Sequence, residues 1–148
     1  MKRKWFGIGI LILLVLLGFW VKRERNLGEI LDISQTEIWQ MTLEEHYNTG
    51  DRWESNSVQV KKNEDVEAVL QTLNEIEVTL KGWSNRSDLS ENEKCYDVKI
   101  FDDGIKWVRF MENGEVRILF MGQWIYGADT EDVQKGIEKI IELIEKSQ

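Results

Sequence analysis

His46, Cys95, two knots of carboxylates and one arginine in an apolar run are the residues of this chain whose types could do chemistry. His46, the only histidine, stands in Glu44-Glu45-His46-Tyr47. An imidazole titrates near neutral pH and can serve as a general base or metal ligand. One histidine cannot make a two-histidine zinc motif, however, and on a strand Glu45 and His46 point to opposite faces. The reading is an exposed histidine at a strand end. Cys95, the only cysteine, has no histidine or basic cluster beside it in sequence to lower its pKa, so it reads as a small buried hydrophobe rather than a nucleophile. Asp102-Asp103-Gly104 and Asp129-Thr130-Glu131-Asp132 gather the kind of oxygen ligands calcium takes, but turn chemistry explains the first and helix capping the second. No Gly-x-Ser-x-Gly elbow, phosphate loop, dinucleotide fingerprint or calcium loop occurs. The expectation is therefore no catalytic residues, no metal ligands and no cofactor.

Binding is better represented than catalysis. Trp53, in Gly-Asp-Arg-Trp-Glu-Ser-Asn-Ser, and Trp83, in Lys-Gly-Trp-Ser-Asn-Arg-Ser, lie in polar, loop-like surroundings. Aromatic platforms beside Asn, Ser and acids suit a peptide or sugar, with Tyr47 and Trp124 as further candidates; the competing reading is that such tryptophans fold back as lids on the core. Arg109 sits among apolar residues, where a guanidinium must find a carboxylate, an aromatic face or water. Structural pairing is the favoured reading, anion binding the other.

The elements that must position these residues begin with an uncharged stretch, residues 5–21, from Trp5 through Ile8, Ile10 and a Leu-rich run to Trp20 and Val21. As a helix it spans roughly 25 Å at about 1.5 Å per residue, slightly less than the ~30 Å hydrocarbon core. Lys4, Lys22, Trp5 and Trp20 are the residue types that anchor both ends at headgroups. A cleaved signal peptide is the rival, but no small-x-small site follows the apolar run. Residues 1–21 are accordingly expected to be a transmembrane signal anchor. Cations tie across the two flanks, Lys2, Arg3 and Lys4 against Lys22, Arg23 and Arg25. A short cationic tail resists crossing an inside-negative membrane, while long domains translocate largely regardless of charge. The N-terminus is expected inside the cytoplasm and the rest of the chain outside.

Residues 1–21 hold three of the 19 Lys and Arg and none of the 27 Asp and Glu, so the remainder carries a net charge of −11. Such a domain repels phosphate backbones, and nucleic-acid partners are disfavoured. Residues 22–29 read as a charged linker, and 30–148 as one acidic domain. Its length is that of a single core that needs no disulfides; the lone cysteine says nothing of redox compartment.

Within it, 30–33 is a candidate short strand. Residues 37–47 alternate, with Trp39, Met41 and Leu43 on one side, and 57–61 alternate again, giving a hairpin with a long tip around Asn48-Thr49-Gly50-Asp51. Asn63 offers an N-cap, and Val66, Val69, Leu70 and Leu73 follow at helical spacing to about residue 76. Residues 75–81 return to period two, and 82–94 form the longest loop. Asp103-Gly104 and Asn113-Gly114 then punctuate a three-stranded meander. Two-residue type I′ turns at both would set Val98 opposite Arg109 and Arg109 opposite Ile118, with Trp107 between Ile100 and Phe120, leaving Arg109 on the apolar face. A bend at Gly122 leads to 123–126, and a last helix starts at Asp129 or Thr130 and buries Val133, Ile137, Ile140, Ile141 and Ile144. The fold class is α+β: one transmembrane helix, then β-β-α-β-β-β-β-α, an antiparallel sheet with two helices on one face.

The runs ILDISQTEIWQMTL, VQVKKNEDVEAVLQTL and YDVKIFDDGIKWVRF, over about residues 30 to 146, resemble small membrane- or lipid-tethered extracytoplasmic domains of Gram-positive bacteria. The resemblance implies an outward-facing domain and supplies no activity or catalytic residues; the lipidated cysteine of some such proteins is missing. The function expected is a membrane-anchored, non-enzymatic extracytoplasmic domain that binds a protein, peptide or envelope component. The alternatives are a small envelope enzyme using carboxylates with His46, and an intracellular-facing regulatory or immunity-type partner.

Overall fold

A computed structural model describes residues 2–33, 37–84, 90, 93–119 and 122–147. Helix α1 runs Lys2–Val21 and is followed by β1 (Arg25–Asn26), α2 (Leu27–Leu31), β2 (Gln40–Asn48), β3 (Trp53–Val60), α3 (Asn63–Glu75), β4 (Glu77–Ser84), β5 (Lys94–Phe101), β6 (Ile105–Met111), β7 (Glu115–Leu119), β8 (Gln123–Ala128) and α4 (Thr130–Lys146). The strands form one eight-stranded antiparallel sheet in the order β1-β4-β8-β7-β6-β5-β2-β3. The class is α+β, as expected, but the order of elements is richer. Gln123–Ala128 is a full strand that places β8 between β4 and β7, and a short strand and helix precede β2.

The start of the domain departs most from expectation. Arg25 and Asn26, in the stretch read as linker, pair with Val78 and Glu77 of β4, and Leu27 is fully buried. Residues 27–31 are a helix where 30–33 was expected to be a strand. Asn26 caps it by accepting from the Glu29 amide at 2.7 Å, and Asp32 ends it in the left-handed region at φ 51°. One turn is too short to show a period, which is why the pattern misled. Gly28 packs closely here: a Cβ on it would lie 1.8 Å from Asn74 Oδ1, so a larger residue would require the exposed Asn74 side chain at the end of α3 to turn away.

Among the described residues no helix is long and apolar enough to cross a membrane. The expected membrane-crossing helix is thus not met within them. What stands there is α1, 20 residues of helical backbone whose side chains are described from Ile8 to Trp20, about 20 Å of helix. Every large apolar side chain in that window, from Ile8 to Phe19 and Trp20, is 46–75% exposed.

The core lies between one sheet face and helices α3 and α4. Met41, Leu43, Val98, Ile100, Val108, Phe110 and Val116 come from the sheet, Val69 and Leu73 from α3, and Val133, Ile137, Ile140, Leu143 and Ile144 from α4. Asp129 caps α4, its carboxylate accepting from the Glu131 amide at 2.8 Å, and Glu131 and Asp132 fill the first turn. At α3 the cap position is Lys62 rather than Asn63, without a side-chain cap bond.

Both meander turns have three-residue loops. Phe101 pairs with Ile105, and the β6–β7 ladder runs Val108↔Ile118, Arg109↔Arg117, Phe110↔Val116. Type I′ geometry needs positive φ at both central residues; of Asp103, Gly104, Asn113 and Gly114 only Gly114 has it, at 85°. The extra loop residue shifts the expected pairing by one and turns every side chain over. Arg109 therefore leaves the helix-covered face and faces Asp97, while Val98, Val108 and Ile118 form the apolar row.

Removing the ring of Phe110, fully buried where β6 meets Gly136 of α4, should cost about 3–5 kcal/mol in Phe110→Ala, read by equilibrium denaturation of the full chain. Trp53→Ala, at an exposed position, should stay within about 0.5 kcal/mol of the parent.

Candidate functional site

The sheet face away from α3 and α4 carries charged side chains in cross-strand rows. One row reads Ser57, Glu44, Asp97, Arg109, Arg117 and Ile125 across β3, β2, β5, β6, β7 and β8. Flanking it are Gln59, Thr42, Lys99 and Trp107 on one side, and Ser55, His46, Cys95 and Met111 on the other. Parity alone assembles this: Glu44 and His46 are two apart on β2 and so share a face, and strand pairing brings Asp97 beside them.

Asp97 is completely buried and lies at the centre. Arg109 grips it with two parallel bonds, Nε to Oδ1 and Nη2 to Oδ2, both 2.8 Å. Trp107 Nε1 donates to Oδ2 at 2.9 Å, and His46 Nε2 lies 3.3 Å from the same oxygen. His46 Nε2 also meets Glu44 Oε2 at 2.9 Å, and Lys99 Nζ reaches that oxygen at 2.6 Å. Lys99 stacks over the Trp107 ring at 4.4 Å, with Arg109 5.7 Å from its centroid. Burial alone would push the Asp97 carboxyl up, but the hydrogen bonds from Arg109, and then from His46, outweigh it and hold the group below the usual carboxylate range. The bond to Asp97 raises His46 above 6.5 against the opposing effect of its burial, with Glu44 adding to the rise. Burial first, and then Asp97, push the Cys95 thiol up to about 12. That thiol is buried, as its sequence context predicted.

His46 is therefore not the exposed strand-end residue expected from sequence. Glu44, His46 and Asp97 place ligand atoms within 4.8 Å of one another, which invites a test for a metal. Zinc would need each atom at about 2.0–2.2 Å. Asp97 Oδ2 would have to give up Arg109 and Trp107, and Glu44 Oε2 would have to give up Lys99. Two fixed cations already hold the carboxylates, so the donors do not fit an added dication. Nor is this a proton relay, because both acidic contacts fall on the same imidazole nitrogen, Nε2.

The residues expected to bind divide into separate groups. Tyr47 and Trp53 lie at the β2–β3 hairpin tip, Trp53 52% exposed and Tyr47 under the Lys94 ammonium, 5.6 Å from its ring centroid. Trp83 and Trp124 are a directly opposed pair on β4 and β8, 53% and 40% exposed. Three strands, β7, β6 and β5, separate β8 from β2, and the two pairs occupy opposite ends of the sheet, so no single platform collects all four. Neither Trp53 nor Trp83 is in a loop. The β3 strand begins at Trp53, and β4 continues through Gly82 after a bulge to end at Ser84. The part of the expected 82–94 loop at 85–89 and 91–92 lies outside the described residues. Arg109 has the structural role: it is 7% exposed and committed to Asp97.

The carboxylate knots behave as turn and cap. Asp102 Oδ1 accepts from the Gly104 amide at 3.0 Å, and its other oxygen binds Lys106. The sheet-face cluster was missed because its members are 44 to 109 in sequence and meet only in the three-residue-loop register. The spacing Glu44-x-His46 was its one local sign. Comparison with known protein families, with curated proteins and with solved structures finds no match.

Two outcomes test this network. Arg109→Met leaves a carboxylate buried without its main partner and should cost about 3–5 kcal/mol, whereas Asp97→Leu combined with Arg109→Met should recover most of it. Because the folded pKa of His46 is raised, its contribution to stability is complete below about pH 6.5 and is lost as pH climbs through the folded value. Denaturation midpoints measured from pH 6 upward should fall in the parent across that window and stay flatter in His46→Gln.

Proposed function

We propose that this chain is a membrane-anchored binding domain without catalytic activity, its N-terminal helix lying in lipid and its acidic α+β domain held outside the cytoplasm to engage a protein, peptide or envelope component. The observation that carries the reading is α1. Its large apolar side chains from Ile8 to Phe19 stand exposed instead of packing on the sheet. A helix hydrophobic all round belongs in a protein core or in lipid. Uncharged sequence continues from Trp5 to Val21, beyond the window of described side chains, and Lys4 and Lys22 bracket it.

The domain supports binding rather than turnover. Its ionisable cluster is locked in mutual ion pairs, and its thiol is buried. Its exposed aromatics, Trp39, Trp53, Trp83 and Trp124, are instead the residue type that dominates contact energies at interfaces. The resemblance of residues 30–146 to tethered extracytoplasmic domains agrees with that placement. The enzyme reading has one observation in its favour, the convergence of His46 with Glu44 and Asp97, and the pairing that saturates both acids argues against it.

Cell fractionation tests the anchor. The full chain should sediment with membranes through an alkaline carbonate wash, and deletion of residues 2–21 should release the domain. Protease added to intact cells should remove the domain; survival until lysis would place it inside. For the binding surface, crosslinking in membranes should capture a partner whose yield falls at least threefold in Trp53→Ala or Trp83→Ala, and unchanged capture in both would remove these tryptophans from the interface.

A further inference from the structure

Among the described residues, one chiefly apolar cavity lies where α2 meets the start of β6 and the end of β7. It measures about 360 Å³ and opens between α2 and the sheet, walled by Ile30, Leu80, Ile118, Leu119, Trp124 and Tyr126. That volume is within the range of small-ligand sites. Three of these residues, Ile30, Leu80 and Tyr126, also wall a second space of about 100 Å³ whose remaining lining is Trp20, Arg23, Arg25 and Val78. The two spaces adjoin at these three side chains, which sets out a track from Trp20 in the last turn of α1, past Arg23 and Arg25, toward the larger cavity.

We propose that this track takes an acyl chain of an anionic membrane phospholipid, entering beside Trp20 with its phosphate toward Arg23 and Arg25. The inference rests on the membrane placement of α1 proposed above. The first argument for a lipid is adjacency: the smaller space begins at Trp20, on a helix whose described side chains from Ile8 are apolar and exposed. It adjoins a cavity lined chiefly by aliphatic and aromatic side chains, with Lys106 the one charged residue in that lining. The second is charge. In a domain of net charge −11, the mouth of the track holds two guanidiniums: Arg23 and Arg25 both lean on one oxygen of Glu29, at 3.2 and 3.3 Å. One carboxylate cannot neutralise two guanidiniums, so positive charge remains where a phosphate would arrive. Arg23 also lies 5.5 Å from the Trp20 ring centroid, which keeps it at the level of an interfacial tryptophan. A peptide occupant would need backbone partners, and the wall of the larger space offers chiefly aliphatic and aromatic surface.

The test uses the full chain reconstituted in vesicles that contain phosphatidylglycerol with a photoactivatable diazirine in its acyl chain. After irradiation, adducts are mapped by mass spectrometry. Adducts are expected on α1 and also on the peptides carrying Leu80, Ile118, Trp124 and Tyr126. Filling the track from two different elements, with Ile30→Trp and separately Leu80→Trp, should lower domain labelling at least fivefold relative to α1 labelling, with circular dichroism confirming that each variant is folded. The same label on phosphatidylcholine should give at least threefold less domain adduct; equal labelling would overturn the anionic headgroup. Adducts confined to α1, or domain adducts that persist in both filled variants, would overturn the acyl-chain site while leaving the anchor intact. Chain that fails to float with the vesicles would overturn the anchor and the site together. A peptide released on denaturation in place of lipid would overturn the assignment of the occupant.

Discussion

A carboxylate with no access to water sits at the middle of the sheet, and the rest of the structure is arranged so that it can. Asp97 is tolerable at zero exposure only because Arg109 binds it through both oxygens while Trp107 and His46 complete its shell. Those partners come from β2 and β6, so they meet Asp97 only when both neighbours of β5 are in register. A slip of one residue would turn Asp97 or Arg109 toward Val69, Leu73 and Ile140, where no polar group compensates. The pair is thus a registration device. Replacing it by apolar residues need not weaken the fold, but it would remove the penalty that keeps the central strands aligned.

That device also explains what the amino-acid pattern could and could not convey. The α+β class, the extent of α3, the Asp129 cap of α4 and the location of both meander turns were all legible, because each rests on a local period or a local hydrogen bond. The face of Arg109 was not. It depends on whether a loop has two residues or three, a choice made by the φ angles of Asp103, Gly104 and Asn113 rather than by residue type. Strand β3 begins four residues before its alternation does, since Glu54-Ser55-Asn56-Ser57 is polar on both faces and its strand identity comes from pairing with β2. The helix α2, five residues long, has no period to read. The Glu44–His46–Asp97 cluster was half legible: i and i+2 on a strand must share a face, but their acidic partner is 51 positions on from His46 and arrives only through the sheet.

The two faces of the sheet divide the labour of the molecule. One is covered by α3 and α4 and is almost wholly hydrocarbon. The other carries ion pairs that neutralise one another, so much of its charge is unavailable to an external ligand. What remains open to a partner lies at the margins, in the opposed Trp83 and Trp124, in Trp53 at the hairpin tip, and in the apolar space beside α2. A site placed at the rim of a rigid sheet can vary in residue type without disturbing the buried salt links at its centre.

The two borders of the sheet are unequal. On one side β1 contributes only two residues; on the other β3 presents eight, paired to β2 without a bulge, in a chain that contains no proline. An outer strand of that length offers a row of amide hydrogens and carbonyl oxygens to any extended neighbour. With neither kink nor proline to blunt it, repulsion between strongly acidic domains is the term that opposes the addition of one such border to the next. Shielding that charge with salt would weaken the repulsion and favour lateral growth of the sheet from molecule to molecule.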